Sequence, residues 1–299
     1  MASARSLKGS VAVVAGGTRG AGRGMGVELG AAGAIVYVTG RTTRTTRSPM
    51  NRPETIEETA ELVDAAGGTG IPVRVDHTVK TEVRDLFERV SREQDGRLDM
   101  LINDLWGGDH LTEWDKPFWE HSLDNGLQLL DSAINAHIIT SHYGAPLMVA
   151  RGQGLIIEIT DGDAKFNKDY RGTLFYDFAK VGAIRLALAE AEDLRPHNVA
   201  AVALTPGFLR SEAMLDHYGV TEANWRDGAK KEPHFIASET PTYIGRAVVA
   251  LGSDDDIMSK SGSSLSTGAL ADEYGFTDAD GSRPNFGRYY EEVVLGSLD

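Results

Sequence analysis

Six short apolar runs, most of them followed by a stretch of helical periodicity, constrain this chain more than any other feature. They read VAVVA (11–15), IVYVTG (35–40), IPVRV (71–75), DMLIND (99–104), GLIIEIT (154–160) and VAAVALT (199–205). The runs are continuous rather than alternating, the pattern of strands buried on both faces. Helical signals occupy 20–32, 54–66, 82–94, 121–150 and 174–194. At 82–94, EVRDLFERVSREQ spaces its apolar residues three and four apart, and Pro53 stands just ahead of the second helix. Strand and helix in alternation predict a parallel sheet with helices on both faces, a doubly wound α/β fold in one domain over 1–299. A short strand near SSLST (263–267) is expected to close the sheet. The last third loses the rhythm. Residues 207–240, with Trp225 and AKKEP, are expected to form a flexible substrate cap. The tail 271–299 is expected to pack on the surface or on a neighbouring subunit.

The first run leads straight into AGGTRGAGRG, where Gly16, Gly20 and Gly22 fit G-x-x-x-G-x-G with Thr18 and Arg19 inside the loop. Glycines allow a tight turn and close backbone approach, and the free N–H groups of a helix N-terminus suit a diphosphate. A strand before and a helix after complete the context such a motif requires, so a dinucleotide site is expected. At the end of the second strand an acidic residue suits a ribose 2′-OH, and an Arg suits a 2′-phosphate. Here the sequence is TGRTTRTTR: no carboxylate, but Arg41 and Arg44. With Arg19 they make three cations in an otherwise acidic chain, and NADP(H) is expected rather than NAD(H).

FYDFAK (175–180) sets Tyr176 and Lys180 about one helical turn apart, on one face. Alone that pair is ordinary. Together with the glycine loop and TPG at 205–207, in this order and spacing, it resembles the classical short-chain dehydrogenase/reductase family. The resemblance covers nearly the whole chain and includes Asp76 after the third run and GRLDMLIND entering the fourth. It implies a Rossmann fold and an oxidoreductase. It further implies that Asp76 contacts adenine, and that Asn103, Pro206 and Gly207 lie against the cofactor. Tyr176 would pass a proton to or from the substrate carbonyl while hydride moves. A free tyrosine titrates near about 10, and a cation beside it favours the phenolate, so Lys180 is expected to help Tyr176 ionise and to hold the nicotinamide ribose. Homodimers or homotetramers are expected by the same resemblance.

Three positions depart from the family pattern. The family's N-N-A-G reads Asn103-Asp104-Leu105-Trp106 here, with Trp106 expected toward the substrate. The Ser that holds the substrate carbonyl is replaced by Asp161, with Thr160 one residue early and facing the other way. The relay Asn of the long central helix falls on Asp131, or on Asn135 after a shift of one turn, with Asp131 favoured. An ionised Asp161 accepts hydrogen bonds and donates none. It is therefore expected to be protonated, through burial and a neighbouring carboxylate (Asp131 or Asp163), or to meet a substrate with its own donor or positive charge. The third reading is a catalytically weak NADP(H)-binding regulatory module.

Composition excludes several classes. There is no Cys among 299 residues, so thiolate chemistry and Cys-based metal sites are ruled out, and the scattered histidines give no metal-ligand spacing. A net charge of −14 disfavours nucleic acid and anionic membranes. No apolar stretch approaches the roughly 18 residues of a membrane span, and the N-terminal run is too short for a signal segment. The expectation is a soluble cytoplasmic enzyme acting on a small molecule.

Overall fold

The computed structural model describes residues 6–47 and 50–296. Its strands are β1 (Val11–Ala15), β2 (Ile35–Gly40), β3 (Thr69–Arg74), β4 (Met100–Asn103), β5 (Gly154–Ile159), β6 (Val199–Thr205) and β7 (Ser264–Ser266). They form one sheet in the order β3-β2-β1-β4-β5-β6-β7, and every pairing is parallel. The helices are α1 (Gly20–Ala31), α2 (Ile56–Ala66), α3 (Lys80–Glu93), α4 (Leu123–Leu130), α5 (Ala136–Arg151) and α6 (Leu174–Leu194). Later come α7 (Glu212–Tyr218), α8 (Pro241–Ser253) and α10 (Thr267–Tyr274), with short α9 (Ile257–Lys260) and α11 (Phe286–Tyr289).

Successive strand residues point to opposite faces, so each run feeds two cores. Ala12 and Val14 pack with Met25 and Leu29 of α1, Val63 of α2 and Val248 of α8. Val11 and Val13 pack with Phe87 of α3, Met148 of α5 and Ala191 of α6. The doubly wound arrangement expected from the sequence is therefore present. The chain leaves β1 outward to β2 and β3, then returns to β4 on the other side of β1. That reversal opens a crevice beyond the carboxyl ends of the strands, where such folds bind ligands.

Some expectations need correction. The third run gives an edge strand, β3, whose residues are exposed or part-exposed, with Val75 buried just beyond it; Pro72 sits within the strand, as an edge tolerates. The long central helix is present but not uniform. A single π turn, Asp131–Asn135, separates α4 from α5, with the N–H of Ala136 bonded to the carbonyl of Asp131. Segment 207–240 is built from α7 and two 3-10 turns, Trp225–Lys230 and Pro233–Ala237. Arg210 pins it, donating to the Ser238 carbonyl and stacking 3.9 Å over Trp225. The tail does not lie idle on the surface. Buried Asp278 accepts the N–H of Thr240 at 2.9 Å, and Phe286 packs edge-on against Phe208. Its residues 285–287 thereby form part of the cavity wall.

Candidate active site

Above the crevice lies a cavity of about 690 Å³. The glycine loop makes its floor. Gly16 has φ +91° and Gly20 φ +56°, both in the region that favours glycine. A Cβ on Gly16 would come within 2.1 Å of the Asp104 carbonyl oxygen, and one on Gly22 within 2.2 Å of the Gly16 carbonyl oxygen. The loop is thus a bare-backbone cradle. Arg19 precedes α1 without a side-chain cap, and carboxylates meet the helix N–H groups instead. Gly20 N–H donates to Glu212 Oε2 at 2.8 Å, and Gly22 N–H to the Asp104 carboxylate. Burial pushes Asp104 up to about 7, against the opposing charges of Lys180 and His137.

Thr18, Arg19, Arg41 and Asp76 line the same cavity. Arg19 lies 3.9 Å from Asp109 and Arg41 4.0 Å from Asp76. Burial works to raise Asp76, but hydrogen bonds from Thr78 and the charges of Arg41 and Arg74 outweigh it and hold the carboxyl below its usual range. Arg44 is not brought here: it pairs with Glu61 on the surface at 2.7 Å. Arg52, which sequence reasoning missed, lines the cavity and bonds Glu54 and Asp216. At the other end stand Pro206 and Gly207. The Gly207 N–H donates to Glu239 at 2.9 Å, a fully buried carboxyl that burial pushes up to about 8.

Tyr176 and Lys180 project from one face of α6 into the cavity. Lys180 Nζ lies 5.3 Å from the Tyr176 ring centroid and 3.7 Å from that of Trp106, which meets Tyr176 edge-on. Trp114 packs on Tyr176 from a further side, at 5.2 Å. Asp161, at the end of β5, joins them. The Tyr176 hydroxyl donates to Asp161 Oδ2, and Arg171 Nη2 donates to the same oxygen at 3.0 Å. Thr160 faces away, its hydroxyl donating to the Lys180 carbonyl.

This geometry corrects two expectations. Tyr176 is raised rather than lowered, first by burial, then by the charge and hydrogen bond of Asp161, with Arg171 opposing. Burial lowers Lys180. Asp161 does not sit buried beside a second carboxylate. Its side chain is 45% exposed and its close charged partner is Arg171. Arg171 carried no sequence signal, because it reaches Asp161 through the turn after β5. Gly162 (φ +80°) and Gly172 (φ +84°) fold that turn back, and Arg171 also grips the Asp161 carbonyl.

Two further candidates point elsewhere. Asp131 is exposed and accepts a hydrogen bond from Asn135, and neither lines the cavity. The π turn directs Ser132 and Ala136 there instead. Asn103 is wholly buried, donating to Ser141 at 2.9 Å and to Glu158 at 2.7 Å. Glu158 also pairs with His137, whose other ring nitrogen bonds the Leu105 carbonyl at 3.0 Å. Asn103 therefore braces the loop behind the cavity rather than lining it. Among the described residues, no three His, Asp or Glu side chains group to hold a metal ion, and no helix is long and apolar enough to cross a membrane.

Comparison with known proteins agrees with this architecture. The family model for short chain dehydrogenases matches residues 10–218. The human protein "Dehydrogenase/reductase SDR family member 1" is 36% identical over 282 residues, spanning 93% of this chain and 86% of its own. Its mouse counterpart is 37% identical over 279 residues, spanning 92% and 85%. Among solved structures, a short chain dehydrogenase from Mycobacterium thermoresistibile superposes with TM-score 0.77 at 23% identity, covering 94% of this chain and 93% of that one. The glycine cradle, the Tyr176–Lys180 pair and these matches agree, and the chain belongs to the short-chain dehydrogenase/reductase family, whose members use NAD(P)(H).

Proposed function

We propose that this protein is an NADP(H)-dependent reductase of a small-molecule C=O or C=N group. One observation carries the reading: a single cavity is lined by the glycine loop, by Arg19 and Arg41, and by Tyr176, Lys180 and Asp161. The residues fit a dinucleotide. Gly16, Thr18, Gly20 and Gly22 offer the backbone cradle for a diphosphate. Arg19, Arg41 and Arg52 suit a 2′-phosphate, Asp76 suits adenine, and Lys180, Pro206 and Gly207 stand at the nicotinamide end. The bound dinucleotide supplies hydride.

Tyr176 supplies the proton. Burial and Asp161 keep its phenol protonated, so it donates to the carbonyl oxygen, or to the nitrogen of a neutral imine, as hydride reaches the carbon. Lys180 and Arg171 offset the phenolate left behind. Asp161, held by Arg171, accepts from the N–H of the iminium formed when Tyr176 protonates an imine, or from the hydroxyl of a hydroxylated ketone, which favours these over a bare ketone. Segment 207–240 acts as a cap, with Leu209, Ser211 and Met214 on the cavity side. A homodimer or homotetramer is proposed to form across α4, α5 and α6, where Leu127, Ile138 and Phe178 are exposed. The net charge of −14 supports a cytoplasmic protein without a nucleic-acid or membrane partner.

A second reading, a catalytically weak NADP(H)-binding regulatory module, is favoured by the tie between the Tyr176 hydroxyl and Asp161. NADPH oxidation over ketone and cyclic-imine panels, with NADH as control, separates the two. We expect imine turnover, reduced about 10²-fold or more by Tyr176→Phe or Asp161→Asn. Full turnover by Tyr176→Phe would remove its assigned role. Binding of NADPH without turnover on either panel would favour the regulatory module, and a preference for NADH would overturn the cofactor assignment.

A further inference from the structure

Helix α7 carries two carboxylates one turn apart, Glu212 and Asp216, and they bond to Gly20 of the glycine loop and to Arg52 of the cavity wall. Glu212 Oε2 accepts the N–H of Gly20, the first residue of α1, at 2.8 Å, and Glu212 Oε1 lies 3.5 Å from Arg23 Nη1. Asp216 accepts from Arg52 at 2.7 Å. Three groups that would recognise a dinucleotide phosphate are therefore engaged by the cap: a helix N-terminal N–H, the guanidinium behind it, and Arg52 on the cavity wall. The fit at the loop is close. A Cβ on Gly20 would come 3.5 Å from Ser211, the residue that caps α7.

The two carboxylates at the start of α1 differ in kind. Asp104 follows β4 directly, and its backbone N–H is bonded to Ala15 of β1, so it is fixed to the sheet. Glu212 stands on a seven-residue helix outside the sheet, its side chain 29% exposed. The N-terminus of α7 has its own cap, Ser211 Oγ accepting the Met214 N–H, so Glu212 is not needed for that cap.

We propose that Glu212 is an internal anion that competes with the cofactor diphosphate for the Gly20 N–H and Arg23, and that Asp216 competes with the 2′-phosphate for Arg52. This rests on the dinucleotide reading above. One N–H cannot serve two anions, and a diphosphate arriving beside Glu212 meets a like charge. Binding is then an exchange. The cap carboxylates leave as the phosphates arrive, and α7 is freed from the glycine loop. By linkage, whatever draws α7 away strengthens cofactor binding by the same factor.

The test uses the full-length protein and NADPH. Dissociation constants are measured by ligand fluorescence for wild type, Glu212→Gln and Asp216→Asn, and amide exchange across α7 is followed with and without NADPH. The expected result is binding about threefold to tenfold tighter in Glu212→Gln and tighter by less in Asp216→Asn. Exchange in α7 should rise when NADPH is added to wild type and be high beforehand in Glu212→Gln. If wild type binds NADPH and both variants bind equally or more weakly, the competition is overturned and the cofactor reading stands. If wild type binds neither NADPH nor NADP⁺, the cofactor reading falls and this proposal with it. Asp216→Asn keeps the test decisive if Glu212→Gln does not fold.

Discussion

Asp104 sits where the glycine loop, Lys180 and the end of β4 meet, and burial holds its carboxyl up to about 7 against an ordinary 3.8. The folded chain keeps that proton to near neutrality, whereas the unfolded chain releases it near about 4. The stability tied to it is fully present below the lower value and is lost as pH rises through the upper one. Asp104→Asn is therefore expected to gain melting temperature over wild type progressively from about pH 4 to pH 7 and to keep that gain above it; a difference that is flat with pH across that range would contradict this. Arg171 gives a second prediction. Arg171→Met leaves Asp161 without its cation, so KM for iminium substrates should fall several-fold while ketone turnover changes little. A parallel change in both panels would mean that Arg171 only shapes the turn. These residues also mark the limit of sequence reading. Tyr176 and Lys180 are legible because their spacing lies within one helix. Arg171 is not, since its approach to Asp161 depends on two positive-φ glycines rather than on any periodicity. Arg44 and Arg52 are both cations near the right strand, and only the path of the loop decides which reaches the cavity.

At the scale of elements, the central runs were readable because burial on both faces leaves few polar positions, Asn103 and Glu158 among them; the edge run β3 was readable from its place in the alternation. The central helix was readable, but the π turn within it was not. A π turn adds one residue, which rotates everything beyond it by about 100°. A count back from YGAPLM (143–148) without a gap lands on Asp131, which is exposed and does not line the cavity. The polar cluster behind the site follows from the same region. His137 of α5 holds Glu158 of β5 and the Leu105 carbonyl, so a helix and a strand jointly fix the loop that bears Trp106. His137→Phe should cost about 3–5 kcal/mol, because it leaves the buried Glu158 without its cation. Chemical denaturation measures this; a loss below about 1 kcal/mol would show the cluster to be dispensable. Elsewhere, α1 and α8 touch backbone to backbone: a Cβ on Gly24 would lie 2.0 Å from the Pro241 carbonyl oxygen. Gly24→Ala is expected to destabilise by about 1–3 kcal/mol and to weaken NADPH binding, since α1 carries the loop. An unchanged melting temperature would contradict that close packing.

The whole molecule draws its site from distant parts of the chain. Gly16, Asp76, Asp161, Tyr176, Gly207 and Phe286 all line one cavity. The sheet order makes this necessary, because the ends of β1, β4, β5 and β6 lie side by side. The exposed apolar residues of α4, α5 and α6 belong to the same scale. Leu127→Glu with Phe178→Glu is expected to yield monomers by light scattering, and an assembly of unchanged mass would move the interface elsewhere. The tail bears on how such a molecule is made. Phe286 is translated long after the glycine loop, yet it completes the wall that faces Phe208. A ribosome-arrested chain exposed only as far as residue 274 should hold NADPH while discriminating poorly among substrates; one that binds no NADPH would refute that order. On that expectation the nucleotide site is complete before the substrate wall, and a bound nucleotide would be in place when the last segment closes over it.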